Sequence, residues 1–402
     1  MPALRWRLVL ALLCACLAPA FARAQAQVPP APPRIGVMTM LPGEVFFERF
    51  GHDALVVADP ASGLATSYNF GFFDPSEPDF VGNFARGRMM YYLVALPLEE
   101  DLSQYREAGR GVQIQWLDLP PEQARALAAA LAEHARPENA RYHYDYFTAN
   151  CATKVRDMLD AAMGGALHAQ LSGPAPGQTY RREAVRLASP APWMWIGFDL
   201  GLGPYADAPL TRWQDGFIPM RLAADLATAT NRDGRPLVQA TEQWLPQRLA
   251  AEPADPARVL WPWALAGLAL AAGIAALRRR PRLVAALALP LWSVCALGGV
   301  LLLYLWGFTA HQAAWANRNL LLLDPLCLPA IGGAIAVLRG RRPGRGFGWL
   351  LAAIAVLAAL ALPVYWLSPR PQANLPWIAL LLPVHAALAW VLRPRRLPAP
   401  VR

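Results

Sequence analysis

Residues 150–162 read NCATKVRDMLDAA, and this stretch decides how the soluble part of the chain folds. Cys151, Val155, Met158, Leu159 and Ala162 recur at i, i+4, i+7, i+8 and i+11, which is one face of an α-helix. Asn150 stands where an N-cap belongs, so the spacing predicts a helix that opens at Cys151 and turns the thiol toward the domain core. There the sulfur lies among unpaired backbone N–H groups at the positive end of the helix dipole. Such a place favours the thiolate and offers donors to an oxyanion.

The other four of the chain's five cysteines lie elsewhere. Cys14 and Cys16 fall in a segment with the anatomy of a secretory signal: Arg5 and Arg7, an apolar run over 8–17, then small residues to Ala24. Residues 1–24 are therefore expected to be a signal peptide, and the Pro- and Ala-rich residues 24–33 a linker. Cys295 and Cys327 lie in apolar runs toward the C-terminus. Cys151 is left as the one thiol of an exported domain, in a compartment where disulfides are the ordinary use of cysteine. It is either an inert packed side chain or a reactive one.

From residue 261 the sequence is mostly Ala, Leu, Val, Ile, Pro and Trp. Apolar stretches at 261–277, 283–306, 320–338, 347–367 and 375–392 each approach the roughly 20 residues that cross a bilayer as a helix. This predicts an all-α bundle of about five spans over 259–402. Trp261, Trp306, Trp349 and Trp377 near their ends suit an interfacial belt. Arginines cluster after the first, third and fifth stretches (278–282, 339–345 and 393–402), so these connections are expected in the cytoplasm and residues 28–258 in the periplasm. Fourteen arginines against the single acid Asp324 give the tail from Val259 a charge of +13. The chain's +9 then leaves −4 for the residues before it. The basic balance reports topology and gives no support for nucleic-acid binding.

Strands are expected at 53–58, 65–70, 88–95 and 111–119, with Val112, Ile114 and Trp116 alternating, and a helix over 121–135. The class is α+β. A cysteine nucleophile commonly works with an imidazole, and His52 is the first candidate: it opens a strand after Gly51 and shares a sheet face with Ala54 and Val56. A strand-edge histidine is also an ordinary structural residue. His143, in the loop before the helix, is the second choice, and His134 and His168 are expected to be solvated. No Cys/His cluster has metal-ligand spacing and no His-Glu-x-x-His string occurs, so no metal or other cofactor is expected.

A helix-borne Cys preceded in the chain by a strand-borne His is the circularly permuted papain-like order of lecithin:retinol acyltransferase-like proteins. The strings Phe50-Gly51-His52, Tyr68-Asn69-Phe70-Gly71, Asn150-Cys151-Ala152-Thr153 and residues 202–213 resemble the Lnb-type lipoprotein N-acyltransferases. Members of that family also carry a multi-span C-terminal membrane portion. The resemblance implies Cys151 as nucleophile and His52 as base in the inner membrane's periplasmic face. Asn69 is the candidate third group, its alternative being an ordinary hairpin residue. Asn150, Tyr142 and Asp145 would shape the pocket. The implied donor is a membrane phospholipid and the implied acceptor a diacylated lipoprotein. The periplasmic connection 307–319, with His311, Asn317 and Asn319, would hold a head group or dock under the catalytic domain. Two other classes remain open at this point: a periplasmic cysteine amidase or endopeptidase acting on peptidoglycan, and a non-catalytic membrane assembly factor.

Overall fold

The computed structural model describes residues 31–255 and 259–394. The expected signal segment, Cys14, Cys16, residues 256–258 at the expected domain boundary, Arg395, Arg396 and Arg402 lie outside them.

The soluble part is built on a seven-stranded sheet in which each neighbouring pair is antiparallel. Its strands are β1 (Arg34–Met40), β2 (His52–Ala58), β3 (Ala65–Phe72), β4 (Met90–Pro97), β5 (Val112–Leu117), β6 (Arg141–His143) and β7 (Val238–Leu245), in the spatial order β6-β4-β3-β2-β1-β5-β7. The helices of more than one turn in this part are α1 (Phe80–Arg86), α2 (Leu98–Ala108), α3 (Pro121–His134), α4 (Cys151–Ala162), α5 (Ala166–Leu171), α6 (Tyr180–Ala188), α7 (Pro192–Gly201) and α8 (Pro219–Leu226).

Helices cover both sheet faces. On one, Ile35, Val37, Leu55 and Phe70 pack with Val155 and Leu159 of α4. On the other, Met38, Met40, Ala54, Val56 and Ile114 pack with Leu98 and Leu102 of α2. The interior strand β1 is buried on both faces, so it lacks the polar/apolar alternation by which a half-buried strand is read. Strand β7 returns from far along the chain to pair with β5, which ties residues up to Leu245 into the same domain.

The C-terminal part contains α9 (Trp261–Ala276), α10 (Pro281–Phe308), α11 (Cys327–Leu338), α12 (Arg345–Leu367) and α13 (Leu375–Leu392), packed around one apolar core. Among the described residues four helices are long and apolar enough to cross a membrane: α9 with its following turn, α10, α12 and α13. The helix expected over 320–338 starts later in the structure. Its first third is a 3₁₀ turn at Arg318–Leu321 followed by Asp324-Pro325, and the helix runs only from Cys327. Proline has no N–H to donate, and the Asp324 side chain caps the Leu326 N–H at 2.9 Å, so the helix starts late. Non-helical backbone at this level is buried in protein, with Leu322 and Leu323 in the bundle core. Cys295 and Cys327 are free thiols in that core, and His385 Nε2 donates to the Leu322 carbonyl at 3.0 Å.

Residues 192–211 form α7 and short turns; it is the end of α7 that meets the membrane bundle, while Leu202, Ala206 and Leu210 pack in the soluble part. Asn317 Nδ2 donates to the Leu200, Gly201 and Leu202 carbonyls at 2.8, 2.9 and 3.1 Å, and Asn319 Nδ2 to Leu200 at 2.9 Å. These are the terminal carbonyls of α7, which have no donor partner within the helix. Gln372 and Asn374, from the connection before α13, hold Asn317 and Asn319 in turn at 3.0 and 2.9 Å. Trp377 Nε1 donates to Asp199 at 2.8 Å. The two parts are joined by buried, reciprocally satisfied polar groups.

Candidate active site

The N-terminus of α4 is fixed by its first residues. Asn150 accepts from the Thr153 N–H at 2.9 Å, and Thr153 Oγ1 accepts from the Asn150 N–H at 2.8 Å, a complete capping box. The Asn150 amide also donates to the Tyr146 carbonyl at 3.1 Å and the Phe217 carbonyl at 2.9 Å. Its place is therefore that of an anchor, tying the helix start to two neighbouring segments. Asp145 organises the preceding loop by accepting from the Phe147 and Thr148 N–H groups at 2.9 and 2.8 Å.

Cys151 follows as the first helical residue, with the N–H groups of Asp53, Ala152 and Cys151 itself around its sulfur. Burial nonetheless pushes the thiol up to about 12, assisted by the nearby Asp53 charge, and the three amides only moderate this. The expectation of a ready thiolate at the helix terminus is thus reversed: desolvation outweighs the dipole, and the resting group is a protonated thiol. Asp53 is itself raised to about 7 by burial, against the hydrogen bond it accepts from Thr39 at 2.7 Å.

His52 stands beside Asp53 at the start of β2. The turn before it needs Gly51, whose φ is +74° and where a Cβ would lie 2.8 Å from Met220 Sδ and 2.9 Å from the Met40 carbonyl. The ring's Nε2 meets Asn69 Oδ1 at 3.1 Å. Asn69 Nδ2 donates to Asp101 at 2.9 Å and to Ser67 Oγ at 3.2 Å, and Ser67 Oγ donates to Asp101 at 2.6 Å. Since the amide's N–H groups face these acceptors, its oxygen faces the ring, so Nε2 carries the proton and Nδ1 is the basic nitrogen. Burial lowers His52 to about 4, with the Arg110 cation acting the same way and Asn69 and Asp101 opposing. The imidazole is neutral at physiological pH.

By strand alternation His52, Ala54 and Val56 belong to the α2 face, whereas α4 covers the opposite face. Cys151 comes from that opposite face to the start of β2, beside Asp53, the residue that follows His52. At this end β3 carries a bulge over Phe70–Phe72, with Gly71 at φ +103°. Tyr142 stands across from Gly71, its ring edge-on to Phe70 at 6.0 Å and below Lys154 at 4.8 Å.

The remaining sequence candidates lie elsewhere. His143 is exposed on the edge strand β6. His311 bonds the Phe84 carbonyl at 3.0 Å and Tyr146 Oη at 3.4 Å, within the contact between the soluble part and the membrane bundle. Asn317 and Asn319 are buried with their amides engaged by α7 and its surroundings, so of the two roles read for this connection the structure places them in docking. Sequence reading missed Asp101 and Arg110. Asp101 sits in a polar stretch with no motif, and only its burial against Ser67 and Asn69 reveals it. Arg110 is 5% exposed, donates to the Leu41 carbonyl at 2.9 Å and faces Glu48 at 3.4 Å. Among the described residues no three His, Cys, Asp or Glu side chains are grouped so as to hold a metal ion.

The fold and the site define a membrane protein whose α+β domain presents a thiol, an imidazole and an oriented amide above a helical bundle. Residues 20–185 match the family model for the Lnb N-terminal periplasmic domain, and residues 252–396 match that for the Lnb transmembrane domain. The chain belongs to the Lnb-type family, with a periplasmic domain and a transmembrane domain in that order. No match was found to a curated protein or to a solved structure.

Proposed function

We propose that this protein is a cysteine-dependent acyltransferase of the inner membrane that N-acylates the N-terminal cysteine of diacylated lipoproteins, with a phospholipid as donor. The observation that carries this reading is that Cys151 opens a helix beside Asp53, the residue after His52, in a domain joined by buried amides to a transmembrane bundle. A permuted papain-like arrangement, Cys151 with His52 and Asn69, is the catalytic plan proposed for it.

His52 Nδ1 takes the thiol proton as Cys151 Sγ attacks the donor ester carbonyl, so charge is created only when a substrate excludes water. The C–O bond of the tetrahedral adduct breaks, the imidazolium returns its proton to the lysolipid alcohol, and a thioester remains. The lipoprotein's α-amine then attacks the thioester, His52 accepts an amine proton, and the thiol leaves as an amide forms. Asn69 and Asp101 hold the ring in the tautomer that both steps require.

An acyl substrate is supported by the approach to the thiol. Val45, Phe46 and Phe47 are about half exposed, and from Phe47 ring contacts run through Phe73 at 6.1 Å and Tyr91 at 5.1 Å to Tyr144 at 4.2 Å. Tyr144 is held protonated by burial and then by neighbouring Cys151. Exposed apolar residues at the mouth of an aromatic path toward a half-buried thiol suit a lipid chain better than a polar wall peptide. With the arginine-rich connections in the cytoplasm, the site faces the outer leaflet, where both substrates reside.

The test is the N-terminal peptide mass of a reporter lipoprotein in cells whose own N-acylation is supplied by this protein. An added acyl chain with wild type and none with Cys151→Ala is expected. An unmodified amine with both, or cleaved wall peptides in place of acylation, overturns the proposal.

A further inference from the structure

We propose that the Tyr142 phenol is the side-chain oxyanion donor for acyl transfer at Cys151, an assignment that rests on the thiol acting as a nucleophile. Tyr142 Oη is buried and has no hydrogen-bond partner, whereas a buried phenol ordinarily finds one. The ring is held between Phe70 and the ammonium of Lys154, so the hydroxyl is fixed in place. What it faces is the gap left by Gly71. A point where a Cβ of residue 71 would stand is 3.9 Å from Cys151 Cβ and 4.0 Å from Tyr142 Oη, and no other heavy atom outside the adjoining residues is as near. The space is open and has a thiol-bearing carbon on one side and an unpaired donor on the other.

A carbonyl carbon bonded to Cys151 Sγ has room for its oxygen in that gap. As the S–C bond forms, the carbonyl π pair moves onto oxygen, and the Tyr142 O–H donates to the resulting anion without losing its proton. Collapse of the adduct re-forms the C=O bond, expels the leaving oxygen and releases Tyr142 unchanged. Burial raises the phenol, which keeps it a donor throughout the working pH range. Lys154, the chain's one lysine, polarises the ring from its face and strengthens the donor. Backbone amides at Asp53 and Ala152 hold the sulfur itself, so the phenol supplies what they leave uncovered.

The experiment compares two reactions of Cys151 in the full chain in detergent micelles: acylation by a p-nitrophenyl fatty ester, and alkylation by iodoacetamide, which forms no oxyanion. Tyr142→Phe keeps the ring and removes the donor. Ester acylation is expected to fall about 10²- to 10³-fold, with alkylation unchanged within about 2-fold. Equal losses in both reactions, or an ester rate within about 3-fold of wild type, overturn the assignment. If Tyr142→Phe folds poorly, a fluorotyrosine at 142 keeps the shape and strengthens the donor. It should raise the ester rate alone, and an unchanged ester rate overturns the assignment. If the ester probe shows the Tyr142 dependence while no phospholipid acylates Cys151, the donor assignment stands and the lipid reading falls.

Discussion

At the scale of single residues, the site is set by desolvation. A helix N-terminus lowers a thiol and an exposed imidazole titrates near 6.5, yet burial moves Cys151 to about 12 and His52 to about 4. The pair rests as thiol and neutral base, so the acid limb of the Cys151 acylation rate should lie near pH 4 to 5. A limb at 6.5, in a pH profile of single-turnover acylation, contradicts this. His52→Ala should lower that rate about 10²- to 10⁴-fold, the worth of a positioned base. Titration also reaches stability. Between pH 4 and 6.5 the unfolded chain binds a proton at His52 that the folded chain does not, so its contribution is present above 6.5 and lost as pH falls toward 4. Asp53 has the opposite sign: between 3.8 and about 7 the folded state holds the extra proton, and that contribution is lost as pH rises through this window. Asp53→Asn removes the second effect, so its thermal midpoint should drop more steeply than wild type on acidification from pH 6.5 to 4. Parallel midpoint curves for the two proteins contradict it.

At the scale of elements, helix α4 was legible because its cap, its period and its thiol coincide in thirteen residues. Asn150→Ala should cost about 1–2 kcal/mol in unfolding free energy as a cap, with an added loss from the unsatisfied Tyr146 and Phe217 carbonyls. Thermal or chemical unfolding in detergent checks it, and a midpoint equal to wild type contradicts the anchoring role. Strands β2 to β5 were legible from β-branched and aromatic runs, each within a few residues of its place. The interior β1 was not, because both of its faces are buried and Gly36 interrupts its side chains; an added Cβ there would lie 2.8 Å from Ile114 Cγ2. Composition also overstated the third apolar stretch. Hydropathy reads 320–338 as continuous, whereas Asp324-Pro325 delays the helix to Cys327. For the site, Cys151, His52 and Asn69 carry their own chemistry in the sequence, but Asp101 and Arg110 enter through contacts made only after the sheet has closed.

At the scale of the whole molecule, the periplasmic domain and the bundle are joined because α7 ends on the amides of Asn317 and Asn319. Each carbonyl left buried without a donor costs about 1–3 kcal/mol, so the double change Asn317→Ala, Asn319→Ala should loosen this joint. Hydrogen exchange at residues 200–203 should accelerate while iodoacetamide alkylation of Cys151 keeps its wild-type rate. Unchanged exchange contradicts the docking role. On the proposed function, this joint is what brings the half-buried Cys151 to its lipid donor.

The central claim is a transient thioester on Cys151, and intact mass spectrometry of the membrane-purified chain tests it most directly. The account predicts a fatty-acyl mass on wild type after incubation with phospholipid vesicles, released by hydroxylamine at neutral pH and absent from Cys151→Ala. A wild-type chain that carries no acyl mass with any phospholipid, or an adduct that survives hydroxylamine or persists in Cys151→Ala, contradicts it.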